Sequence, residues 1–194
     1  NFKKTQIDFF YAVDFFSKPM AALIPRLDQH DQRIDILHNI VEEHGDFNAT
    51  HYHSETFRQF LKSLGLDPSK VLKSNQASPA VDAFNTALMG AVYSKDPLAG
   101  IGCIGIIEYA FAEISATIGN CAIDHGWIKR KELVHYGVHA ELDKTHAEDF
   151  FILLEPHVNK PEMKDIIDSG LKLGAHIFNE LYRQLFFRNV DNIS

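Results

Sequence analysis

The stretch PLAGIGCIGIIEYAFA, residues 97 to 112, decides the fold class. It follows Asp96, a capping residue that places Pro97 at a first helical position. It is apolar on every side, which marks a helix buried all round. Glu108 is its only charge. A carboxylate among Ile, Ala and Gly is costly to bury unless a cation or hydrogen bonds compensate it. This helix therefore requires both apolar neighbours around it and polar partners from those neighbours.

The rest of the chain supplies the neighbours. Asp67-Pro68 and Ser78-Pro79 repeat the same helix-start punctuation, and Gly45, Gly65 and Gly126 close apolar-periodic runs as C-terminal glycines do. No segment sustains the alternation of a half-buried strand. Helices are expected near residues 5–16, 19–44, 51–64, 79–93, 97–124, 129–155 and 161–187, with Pro19 and Pro25 making the second the least regular. Long helices joined by short loops, without repeats or a low-complexity linker, predict an all-α antiparallel bundle. With 194 residues, 45% apolar content and 15 Phe, one core is expected, hence one domain over residues 1–194.

The formal charge of −7 and the lack of a basic run argue against nucleic acid or an anionic membrane as partner. Cys103 and Cys121 fall about 27 Å apart along one helix, too far to bridge within the chain. Two free thiols fit a reducing cytoplasm, the expected location. The longest apolar stretch, Leu98 to Ile107, is short for a bilayer span, and no signal-peptide pattern opens the chain. Asn1 in place of Met is the start expected of a trimmed chain.

Other helices point polar residues toward the same interior. In HAELDKTH, residues 139–146, His139, Asp143 and His146 share an arc about 60° wide, giving one face two imidazoles and a carboxylate. These ligand types suit iron, manganese or zinc, although the motif taken alone fits a solvated polar face at least as well. In ILHNIVEEHG, Glu43 lies about 20° from Ile36 on the apolar stripe, whereas Glu42 lies about 120° away and off it. In HYHSETFRQFLKSLGL, His53 falls within about 40° of Phe57, and His51 about 120° from it. Taken singly, Glu43 and His53 also fit boundary residues reaching water, and Glu108 fits a core carboxylate bonded to backbone or arginine. Together, three carboxylates (Glu43, Glu108, Asp143) and three histidines (His53, His139, His146) on inward faces of four helices form a composition typical of di-iron and di-manganese bundle sites. His135 shares the His139 face at about 40°, which fits a place beside the ligands, a substitute for one of them, or neither role. His30, His38, His44, His125, His157 and His176 show no such convergence, and Tyr109, Tyr136 and Trp127 are expected to pack in the core.

NIVEEHG followed by HSETFRQFLKSLG resembles the Asn-x-x-x-Glu-x-Gly and His-x-x-x-Phe signature of the heme-oxygenase-like helical bundles. The later Glu108 and the His-x3-Asp-x2-His motif make the chain similar to the heme-oxygenase-like di-iron oxidases, of the type of the chlamydia protein associating with death domains. The resemblance covers residues 36 to 150 or so. It implies a seven-helix bundle holding two Fe ions, or one Fe and one Mn, that activate O2 as co-substrate. The family's ligand pattern falls on Glu43, His53, Glu108, His139, Asp143 and His146, with His51 left as an alternative to His53 because the loop between Glu43 and His53 varies in length. Ferritin-like bundles use two Glu-x-x-His motifs, and the chain has one, Glu132-Leu133-Val134-His135, so that bundle family is not the match.

The activity this implies is oxidation or oxygenation of a small organic molecule, amino-acid- or fatty-acid-derived, with an external reductant and a homo-oligomeric state both compatible. One rival is a metal-free enzyme like thiaminase or pyrroloquinoline quinone synthase, which share the bundle. Another is a binding or interaction protein on the same fold. Heme oxygenase chemistry is disfavoured, because the first helix offers no proximal histidine.

Overall fold

Each Asp-Pro or Ser-Pro pair begins a helix. In the computed structural model, which describes residues 1–190 and the side chains of all of these except 138–142 and 189–190, the α-helices are α1 Phe2–Leu23, α2 His30–Glu43, α3 His53–Ser63, α4 Pro68–Ser74, α5 Pro79–Ser94, α6 Pro97–Asp124, α7 His135–Leu154 and α8 Pro161–Val190. Asp67 caps α4 by accepting from the Ser69 amide at 3.1 Å, and Asp96 caps α6 by accepting from the Leu98 amide at 2.9 Å. Gly45, Gly65 and Gly126 all take positive φ, as C-terminal glycines should. Among the described residues there is no strand, so the expected all-α bundle stands. The short α4 adds one helix to the seven expected.

Three boundaries differ from expectation. α1 runs through Pro19, because that proline is buried near the helix end with Met20 and Leu23, and the break falls instead at Pro25 in a 3-10 turn. The stretch 19–44 is therefore the end of one helix and the whole of the next. Residues 130–132 form a separate 3-10 turn, in which the Glu132 carboxylate accepts from the Lys129 amide at 2.8 Å, and α7 starts only at His135.

α6 is the central helix, packed along α7 on one side and α8 on the other. Its apolar character continues past Glu108, so that by length and composition it is able to cross a bilayer, which the stretch Leu98 to Ile107 alone is not. Here helices cover it on all sides from Ala99 to Glu108, while beyond that point one face, with Tyr109, Glu113 and Thr117, is exposed. Glycine lets the neighbours come close. A Cβ on Gly105 would lie 2.8 Å from the Phe150 Cβ of α7, tighter than real contacts permit. That approach brings Glu108, one turn further along α6, up to the inward face of α7. Cys103 and Cys121 are free thiols, and burial pushes the Cys103 thiol up to about 12.

Of the aromatic residues expected in the core, only Tyr136 is fully buried. Its hydroxyl donates to the Gln6 carbonyl oxygen at 2.5 Å. Tyr109 and Trp127 are exposed.

Candidate metal centre

Glu43 is the last residue of α2, and the chain must turn sharply to return beside it. Gly45, Asp46 and Phe47 all take the left-handed conformation, with φ of 59°, 51° and 65°. Glycine is required at the first, where a Cβ would collide with the backbone of His51. The turn delivers His53 as the first residue of α3, and its Nδ1 lies 2.6 Å from Glu43 Oε1, both side chains being buried. His51 is left outside on an exposed loop, next to Asn48.

α6 and α7 bring the other half. Glu108, Asp143 and His146 are all buried. His146 Nδ1 stands 3.8 Å from Glu108 Oε1 and 3.9 Å from Asp143 Oδ1. One ligand atom each from Glu43, Glu108 and His146 fall within 4.8 Å of one another. Five of the six residues singled out in the sequence thus sit in one buried region, and the side chain of the sixth, His139, lies outside the described residues. His135 is fully buried beside them, its ring 6.4 Å from that of His53 and its Nδ1 3.0 Å from Thr56 Oγ1.

The electrostatics are those of anions short of a counter-charge. Burial holds the Glu108 carboxyl well above its ordinary value, and the nearby Asp143 and Glu43 push it further. Burial likewise raises Asp143, where His146 and His53 oppose the repulsion from Glu43. At His53 burial disfavours the charged ring, but the adjacent Glu43 carboxylate outweighs it and the net shift is upward. Glu108 Oε1 and His146 Nδ1 make no hydrogen bond among the described residues. Separations of 3.8 to 3.9 Å are too long for hydrogen bonds. They leave room for a cation between the two atoms, since two bonds of about 2.0 to 2.2 Å reach that far at a wide angle. The donor set of carboxylate oxygens and imidazole nitrogens fits iron or manganese.

One contact contradicts the helix-angle expectation. Glu42, placed off the buried stripe, nonetheless reaches the site: its Oε2 lies 2.6 Å from His146 Nε2, with the side chain 38% exposed. The angle gives the direction of Cβ, and a glutamate is long enough to turn back. Asn39, one turn before Glu43, is also buried, and neither atom of its amide finds a hydrogen-bond partner among the described residues.

A pocket adjoins the cluster, and Glu42 takes no part in its lining. Phe9, Ala12, Val13 and Phe16 of α1, Phe84 of α5, Ile107 and Phe111 of α6 and Phe178 of α8 line it, and its polar wall consists of Glu43, His53 and Glu108. No lysine or arginine takes part in the lining.

A family model described as iron-containing redox enzyme matches residues 5–177. A search of curated proteins found no match. The family match spans every helix that contributes to the buried cluster, and the Glu43, Glu108 and His146 group is compatible with iron. The chain belongs to the family of iron-containing redox enzymes, on a heme-oxygenase-like helical bundle.

Proposed function

We propose that the chain is an oxygen-dependent oxidoreductase with a dinuclear non-heme centre of two irons, or iron and manganese, acting on a small and largely apolar organic substrate. Glu43, His53, Glu108, Asp143 and His146 hold the metals, with His139 as the sixth ligand from its place on the same helix face. The observation that carries this reading is shared membership. Glu43 and Glu108 belong both to the buried ligand group and to the wall of the apolar pocket, which His53, bonded to Glu43, also lines, so a molecule filling the pocket lies against the proposed metal ligands.

When bound, iron supplies the one-electron chemistry that activates O2 and breaks a C–H or C–C bond of the substrate. The chain's own residues prepare the ground for it. The proton shared between His53 Nδ1 and Glu43 Oε1 must leave before both atoms are free to bind a cation, so metal uptake releases protons. Three carboxylates neutralise most of the charge of two divalent ions. The rings of Phe9, Phe111 and Phe178, with centroids 5.6 Å apart for Phe9 and Phe111 and 6.3 Å for Phe111 and Phe178, keep water from the substrate and set its orientation. A charged group on the substrate finds no cationic side chain in the wall. Its body is therefore aliphatic or aromatic, and any polar end points to the metals.

The test is anaerobic loading with Fe(II), removal of excess metal, and exposure to O2 with a reductant and a panel of aliphatic and aromatic acids. The expected result is about two retained irons per chain, as in other two-metal centres, and oxygen uptake that depends on an apolar substrate. Protein that retains no iron under these conditions overturns the proposal, and a substrate consumed at equal rate without iron favours the metal-free enzymes of this bundle.

A further inference from the structure

We infer that Glu42 is a positioning residue, which fixes the His146 ring so that Nε2 carries the proton and Nδ1 faces the metals. The inference rests on the proposed metal centre and extends it to a residue outside the ligand set. Consecutive residues on a helix point about 100° apart, and α2 uses that divergence to serve two helices at once. Glu43 turns to His53 on α3, and Glu42 turns to His146 on α7.

The geometry leaves each nitrogen of His146 one role. Nε2 is 2.6 Å from Glu42 Oε2, and a carboxylate only accepts, so Nε2–H donates to it. Nδ1 then presents its lone pair toward Glu108 Oε1 and Asp143 Oδ1, at distances a cation spans and a hydrogen bond does not. A carboxylate on the far nitrogen of a ligating histidine holds both tautomer and ring orientation, and its loss typically lowers metal affinity about 10- to 100-fold. Glu42 is partly exposed while His146 is wholly buried, so the pair also joins the centre to the protein surface. Asp149 of α7 and His53 of α3 are further ionisable groups within electrostatic reach of the Glu42 carboxylate, and Asp35 and His38 of α2 lie about Asp149 in turn.

The experiment uses the full chain with 15N-labelled histidine, loaded with Zn(II) as a diamagnetic stand-in. Long-range proton–nitrogen correlation is expected to show His146 metal-bound at Nδ1 and protonated at Nε2. Glu42→Leu is expected to cut Zn(II) affinity about 10- to 100-fold at unchanged stoichiometry, and to speed exchange of the Nε2 proton. Glu42→Gln keeps an acceptor oxygen and is expected to recover most of the affinity. Metal on Nε2, or affinity unchanged in Glu42→Leu, overturns the inference. So does outright loss of one metal equivalent in that variant, which would make Glu42 itself a ligand. Failure of the underlying metal centre reads differently, because the unmodified protein then takes up no metal at all.

Discussion

Glu43 and His53 share a hydrogen bond of 2.6 Å between two buried side chains on different helices. If these atoms bind metal, Glu43→Gln and His53→Ala each remove a donor from the centre, as do Asp143→Asn and His146→Ala from the opposite side. Each variant is expected to lose tight binding of at least one metal, read by metal analysis after anaerobic loading. Helical content by circular dichroism should persist, since the core rests on apolar side chains such as Phe57, Phe60 and Leu61. Full metal retention in these variants would reduce the cluster to a structural hydrogen-bond network.

The metal-free protein is expected to gain stability on mild acidification. The folded pKa of His53 is raised above its ordinary 6.5, so its contribution is fully present below 6.5 and is lost as pH rises through the higher folded value. Glu108 and Asp143 are also raised in the folded state, from ordinary values of 4.5 and 3.8. The unfolded chain therefore releases these protons first as pH rises, which costs the folded state stability above those values. Both effects run in one direction. Thermal midpoints of metal-free protein should fall from weakly acidic to weakly alkaline pH, and metal loading should remove or reverse the trend. A flat or rising profile without metal would contradict the charge balance described for the site.

Ala12 is the small residue in the pocket wall among Phe9, Val13 and Phe16. Ala12→Leu is expected to fill part of the space while leaving the ligands intact. Metal stoichiometry should stay unchanged and KM for the apolar substrate should rise, by about tenfold or more where the added methyl groups displace about two methylenes of substrate, each worth about 0.8 kcal/mol. Unchanged kinetics would place the substrate elsewhere.

Gly105→Ala tests the spacing of α6 and α7. The new Cβ would meet the Phe150 Cβ at 2.8 Å, where neither group is the flexible end of a side chain, so the helices must separate. Overpacking of this kind costs about 1 to 3 kcal/mol, measurable by denaturant unfolding. Separation also moves Glu108 away from Asp143 and His146, so metal affinity should fall together with stability. A stability loss with unaltered metal binding would show that Glu108 adapts independently of the helix spacing.

Much of this was legible in the sequence because its causes are local. Asp-Pro and Ser-Pro starts and positive-φ glycines act within one turn, and they located α4, α5 and α6 and the ends of α2, α3 and α6. Facing angles likewise brought Glu43, His53, Glu108, Asp143 and His146 to one interior. What escaped was decided by packing across helices. Burial of Pro19 with Met20 and Leu23 carries α1 past a residue that normally ends a helix. The return of Glu42 to His146 depends on the conformation of a long side chain, about which a facing angle is silent. The left-handed run from Gly45 to Phe47 has glycine at only one of its three positions, so nothing in Asp46 or Phe47 announces it. Tyr109 and Trp127 share the aromatic character of Tyr136 but face outward, and no local pattern separates them.

Partial exposure of Glu42 gives the centre two doors. The apolar pocket lies among α1, α5, α6 and α8, whereas Glu42 joins His146 to solvent between α2 and α7. Ions bound for the proposed centre and an organic substrate would then follow different routes, and an occupied pocket would leave the first of them open. A chelator is expected to strip metal from protein saturated with an apolar ligand almost as fast as from ligand-free protein, and Glu42→Leu, which loosens the His146 ring, to speed that loss without altering access for the organic molecule.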